Sequence, residues 1–219
     1  MVIFHGSKEI VSEPRYGYGR KDNDYGQGFY CTEDYELAAE WACQDPAGGF
    51  VNSYDINTDG LKIFSFEEGD IMSWLALLLS NRRVRYSSPV ERMISEYITT
   101  HFVPDVEKAD IIKGYRADDS YFTIARAFLS NTITLEQLGN AMKLGKLGHQ
   151  ICIKSRKAFE RIFFRAADPV EGTEYFPKRE NRDKRAREDF VRLLESGVKD
   201  GIFARDILDK EMKADELRI

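Results

Sequence analysis

DNDYGQGFYCTEDYELAAEWA, residues 22–42, is the stretch on which the fold turns. It joins a Gly-x-Gly turn flanked by aromatics to a short apolar run and then to a helix start. GFYCT, residues 28–32, is predicted as a short strand. Thr32 caps a helix from residue 33 to about residue 43, with Glu33 and Asp34 on the positive end of its dipole. The glycines supply turn geometry, but no third glycine falls in register and the segment enters a strand. That excludes the Rossmann fingerprint, which opens a helix. Upstream, the β-branched and aromatic residues 2–4 form a buried strand ending at His5-Gly6-Ser7. Between the two blocks, residues 12–24 have no period and read as a loop of the length usually kept for function.

Further strands are predicted in FVNSYDI and LKIFSF, read as a hairpin around Asn57-Thr58-Asp59-Gly60, and in ADIIKGY and QICIKS. Helices are predicted over 69–82, after the capping box Ser88-Pro89-Val90-Glu91, in SYFTIARAFLS, and in TLEQLGNAM behind the capping pair Thr134 and Gln137. Another runs from Ser155 to about residue 164. From 165 onward the chain becomes polar and charged, then amphipathic, a helical extension packed on the main domain. Strands interrupted by helical insertions favour an α+β class over regular βαβ alternation. The expected organisation is a domain over 1–164 and an extension over 165–219.

The composition, 42% hydrophobic and 32% charged, is that of a globular chain, and the apolar run WLALLLS is far shorter than a bilayer span. No signal peptide is visible at the N-terminus, so a cytoplasmic location and no membrane partner are expected. Three scattered cysteines and three histidines show no metal-ligand spacing, so no metal is expected. A net charge of −5 argues against a broad nucleic-acid footprint. The basic run KRENRDKRAR, interspersed with Glu180 and Asp183, reads as a solvated face.

A strand ending in His-Gly-Ser, a loop, aromatic-Gly-x-Gly-aromatic-Tyr, and a helix carrying a further aromatic together resemble the NAD-binding core of ADP-ribosyltransferases. The similarity is greatest to the branch of diphtheria toxin and the poly(ADP-ribose) polymerases, with its His-Tyr-Glu triad. Within it, ADDSYF at 117–122 and a late glutamine before a strand resemble small bacterial toxin domains encoded beside a small antitoxin. The resemblance implies an α+β fold with a split mixed and antiparallel sheet. His5 and Tyr30 take the first two triad positions, and Gln150, before ICIKS, takes the glutamate's place. Gly6 would hold the nicotinamide amide through its backbone, beside Ser7, and Trp41 would stack on the ring. Gly28 and Phe29 flank Tyr30, and His5 would donate to a ribose hydroxyl. Ala38 stands where the family carries a serine.

Glutamine bears no charge and cannot act as a base, so chain elongation is not expected. Asp119, with Asp118, is a candidate compensating carboxylate or else a helix cap, and Arg20 is a candidate phosphate contact. The implied function is mono-ADP-ribosyl transfer from NAD, as co-substrate, to a macromolecular acceptor, as a toxin or phage-defence effector with a small antitoxin partner. Two alternatives stay open: an inert NAD-, ADP-ribose- or partner-binding module, and a transferase acting on DNA or RNA.

Overall fold

The computed structural model describes residues 1–66, 70–117, 119–142, 148–195, 197 and 200–217, with the backbone only at 119–121. Its strands are β1 (Val2–Ser7), β2 (Phe29–Cys31), β3 (Gly49–Ile56), β4 (Ile63–Ser65), β5 (Ile111–Tyr115), β6 (His149–Ile153) and β7 (Ile162–Val170). Helices α1 (Tyr35–Ala42), α2 (Ile71–Asn81), α3 (Pro89–His101), α4 (Asp119–Leu129), α5 (Leu135–Ala141), α6 (Arg156–Phe159), α7 (Gly172–Glu195) and α8 (Ala204–Asp209), with a short 3-10 helix at Ala214–Glu216, complete the described elements. No described helix is long and apolar enough to cross a membrane.

The class is α+β, with one antiparallel and one mixed sheet. β1, β3 and β7 form the first, in the order β1-β3-β7. The second runs β2-β6-β5-β4 and is antiparallel except where β4 lies parallel to β5. Strand alternation sorts the core into layers. Ile3, Tyr54 and Ile56 of the first sheet meet Cys31, Ile111, Ile151 and Ile153 of the second. The opposite face of the first sheet, through Val51 and Val170, takes Ala38, Ala39 and Ala42 of α1 and Tyr175 of α7. The other face of the second, through Ile112 and Cys152, packs on Trp74, Leu75 and Phe128 of the remaining helices. Ala186 of α7 and Ile207 of α8 belong to that same cluster, so the C-terminal segment shares the main core.

Three expectations are corrected. FVNSYDI and LKIFSF do not form a hairpin: both edges of β3 are occupied by β1 and β7, so β4 crosses to the other sheet and pairs with β5. The helix expected to reach residue 164 stops at Phe159, and residues 162–170 become β7, which runs across the boundary drawn at 164. The cap of α1 is Asp34, whose side chain accepts from the Leu37 N–H at 3.2 Å, while the Thr32 hydroxyl accepts from the Asp34 N–H at 3.1 Å, one step ahead of the helix. The capping box at Thr134 forms as expected, whereas at Ser88 the hydroxyl accepts from the Glu91 N–H at 3.2 Å but the Glu91 carboxylate accepts from the Ser87 N–H at 2.7 Å, so the expected box is only half made.

Candidate functional site

The two sheets meet along β1 and β2 at one residue pair. Phe4 N–H donates to the Thr32 carbonyl at 2.8 Å, and Thr32 N–H returns the bond to Phe4 at 2.9 Å. Continued by two residues, this antiparallel ladder would pair Gly6 with Tyr30. Instead, the Tyr30 carbonyl is taken by His5 Nδ1 at 2.7 Å, and the strands splay. Gly6 lies two positions from Phe4, so its N–H and C=O face the same edge, away from β3. Among the described residues no partner occupies that pair of groups. Its missing Cβ serves packing: one placed there would lie 1.9 Å from the Ala38 carbonyl and 2.9 Å from Trp41 Cβ.

A carbonyl only accepts, so Nδ1 of His5 carries the proton. Burial lowers the ring's pKa from its ordinary 6.5, against the opposing pull of the Tyr30 bond. The ring is therefore neutral at pH 7, and Nε2 presents a lone pair. The ring lies 4.6 Å from that of Phe29.

Tyr30 closes the Gly-x-Gly turn on itself. Its hydroxyl donates to the Gly26 carbonyl at 2.7 Å and accepts from the Tyr25 N–H at 3.0 Å, while its side chain packs half-buried against the main core. Gly26 has a φ of +77°, and a Cβ on Gly28 would lie 2.4 Å from Cys152 Sγ. Both glycines thus have structural reasons that hold without a ligand. The loop ahead is stapled by Gln27, whose amide donates to the Gly17 and Gly19 carbonyls at 2.6 and 2.8 Å.

At this splay point opens a cleft of about 660 Å³. His5, Gly28, Phe29, Tyr30, Trp41 and Gln150 line it, and so does Arg20. Gly6 and Ser7 are not among the lining residues; Ser7 Oγ donates to the Glu9 carbonyl at 2.7 Å and accepts from Asn52 Nδ2 at 2.9 Å. Asp118, and the side chain of Asp119, lie outside the described residues. One face of Trp41 carries the Arg116 guanidinium, 5.1 Å from the ring centre, and Trp41 Nε1 is buried without a hydrogen-bond partner. Among the described residues no group of three or more His, Cys, Asp or Glu is arranged to hold a metal.

Sequence reasoning missed Asp24. Its carboxylate is 6% exposed and lines the cleft. Oδ2 accepts from Gln150 Nε2 at 2.7 Å and from the Ala117 N–H at 2.9 Å, and Oδ1 meets Arg82 Nε at 3.1 Å. Burial raises its pKa above the usual carboxylate value, with Gln150, Ala117 and Arg82 pulling the other way. Gln150 also donates to the Tyr115 carbonyl at 3.1 Å. Asp24 lies inside the opening stretch, where an aspartate before a Gly-rich turn carries no sign of partners in α2 or β6.

Arg15, Arg20, Arg82, Arg116 and Arg179 line the cleft against Asp24 as the one acidic lining residue, Arg20 pairing with Asp22 at 3.0 Å, so an acidic chain concentrates positive charge there. Such a focus selects anionic ligands. Arg179 comes from α7, in the run read as a solvated face. That run also docks: Arg182 pairs with the buried Glu40 at 2.7 Å, and Lys178 with Glu36 at 3.2 Å.

A family model described as "Protein of unknown function (DUF3990)" matches residues 1–164. No curated protein matches the chain, and no solved structure does.

Proposed function

The chain belongs to that family of unknown function, and we propose from the geometry of its cleft that it is a mono-ADP-ribosyltransferase using NAD as co-substrate. One observation carries the reading: His5, Tyr30, Trp41 and Gln150, far apart in sequence, line a single arginine-rimmed cleft at the splay of the two sheets. The split-sheet arrangement supports the ADP-ribosyltransferase type of fold. A cleft of this size suits a nucleotide, since ligand pockets span roughly 300–1,000 Å³.

In the reaction, the bond between nicotinamide nitrogen and ribose C1′ breaks and its electron pair stays on the nitrogen, giving neutral nicotinamide. An acceptor nucleophile bonds to C1′ and loses its proton to solvent or a base. Gly6, with an N–H and a C=O side by side on an open strand edge, suits a carboxamide, which offers one acceptor and one donor in return. His5 Nε2 accepts from a ribose hydroxyl, and the arginines meet the pyrophosphate. The Tyr30 ring contributes a flat apolar wall. Catalysis rests on positioning and on stabilising the oxocarbenium-like transition state.

The test incubates purified chain with NAD and cell lysate, then measures nicotinamide release and labelled acceptor. Release, with label resistant to nuclease and removed by protease, supports transfer to protein. Label lost to nuclease directs the same chemistry to DNA or RNA. The absence of both nicotinamide release and calorimetric NAD binding refutes the proposal. A second reading, an inert NAD-binding module, is favoured by Gln150 alone, because no carboxylate occupies that strand position. Binding without release is its signature. A role as a toxin held by a small antitoxin adds that expression without the partner arrests growth.

A further inference from the structure

Gln150 sits in β6 opposite Gly114, 4% exposed, with its side chain on the cleft. Its amide nitrogen donates to two groups that can only accept, the Asp24 carboxylate at 2.7 Å and the Tyr115 carbonyl at 3.1 Å. The chemistry of these partners fixes the amide's orientation without reference to a hydrogen position. Both hydrogens of the NH2 group are spent, so Oε1 is the only part of the amide left to meet a ligand.

Asp24 is itself held from three directions. Ala117 N–H donates to its carboxylate, Arg82 lies against it, and Asn81 Nδ2 donates to its backbone carbonyl at 3.1 Å. Arg82 then closes the ring by donating to the Ala117 carbonyl at 2.9 Å. Five elements, the Gly-rich loop, α2, β5, β6 and the segment after β5, thus converge to place one carboxylate behind one amide. An N–H bonded to a carboxylate is a charge-assisted donor, and such a bond polarises the amide so that its oxygen becomes more negative.

We infer that Asp24 is a positioning residue that locks Gln150, so that the pair acts as one unit presenting a single, polarised Oε1 acceptor to a ribose hydroxyl of the bound dinucleotide. The inference rests on the NAD reading of the cleft. It accounts for a glutamine at a position where the resemblance calls for a carboxylate: the negative charge is present, one residue further back. The charge reaches the reacting ribose through the amide, as electrostatic support for the cationic transition state.

The test uses the full chain and nicotinamide release, comparing wild type with Asp24→Asn, Gln150→Met and the exchange Asp24→Asn/Gln150→Glu. Asp24→Asn is expected to lower kcat at least about tenfold while KM for NAD stays within about threefold, as for an interaction realised in the transition state. Gln150→Met loses the same acceptor and matches it. The exchange keeps one carboxylate and one amide in contact and recovers most of the lost kcat, which a purely structural role would not do. Thermal melts of each variant accompany the kinetics. If Asp24→Asn fails to fold, Gln150→Met and the exchange decide the matter.

Wild-type kcat and KM in either single variant, or an exchange no better than Asp24→Asn alone, overturns the inference while leaving the transfer reaction standing. If the wild type binds NAD without release, the transfer reading fails. The inference, which assigns the pair to the transition state of that transfer, then falls with it. A wild type that neither binds nor cleaves NAD overturns both.

Discussion

Gly6→Ala tests how β1, α1 and the cleft wall are fitted together. A Cβ at this position lies 1.9 Å from the Ala38 carbonyl oxygen, 2.6 Å from the Ala42 nitrogen and 2.9 Å from Trp41 Cβ. Two of these are backbone atoms of one helix, which rotamer changes cannot relieve. Close carbon–oxygen contacts settle near 3.3 Å, so α1 must retreat by ~1.4 Å from β1. Ala38, Ala39 and Ala42 are fully buried under that contact, so the retreat opens packing across the whole interface. Overpacking of this kind costs about 1–3 kcal/mol, and a helix shift of this size belongs at the upper end. For a chain of this length each kcal/mol moves Tm by about 2–4 °C, giving a fall of roughly 6–12 °C. The assay is thermal unfolding by circular dichroism, with Gly139→Ala as the opposite control. Gly139 lies within α5 with nothing within 4 Å of its Cβ position, so alanine there stabilises the chain by about 0.5–1 kcal/mol. A Gly6→Ala chain melting within about 2 °C of wild type would refute the packing argument.

Three further outcomes are expected. Glu40→Gln, which removes the buried charge facing Arg182, costs about 3 kcal/mol in urea melts, and Glu40→Leu/Arg182→Met recovers most of it. For His5, burial depresses the folded pKa below 6.5, so its contribution to stability is present above pH 6.5 and is lost as pH falls through the folded value. Unfolding free energy of the wild type accordingly drops through that window, and the difference from His5→Gln isolates the slope. Tyr30→Phe removes the hydroxyl shared by Gly26 and Tyr25 and costs about 1–3 kcal/mol, read as a lower midpoint in the same melts.

What the sequence disclosed was mainly local. The Thr134–Gln137 and Ser88–Glu91 caps, the short strands around His5 and Tyr30, and the helix bearing Trp41 are set by side chains within a few residues. The hairpin misreading has a tertiary cause: Asn57-Thr58-Asp59-Gly60 carries the turn chemistry, but β7, more than a hundred residues on, already fills the edge of β3. β7 itself was hidden because it lies at a sheet edge with most of its side chains exposed, which blurs the alternation that marks a strand. Asp24 was invisible for the same reason at smaller scale. Its partners Arg82, Ala117 and Gln150 come from separate segments, and nothing in DNDYGQG announces them.

The cleft draws on residues 5, 24, 30, 41, 82, 116, 150 and 179, so nearly the whole chain must be assembled before it exists. Contacts of such long sequence separation form late, after the loops between them have closed. During synthesis β1 leaves the ribosome well before the second-sheet strand β6, with β7, the far edge of the first sheet, and α7 following. A partly made chain therefore holds His5 and Tyr30 without a cavity between them. A chain that stops short of β6 therefore has no cleft in which any ligand could be held, whatever else has folded.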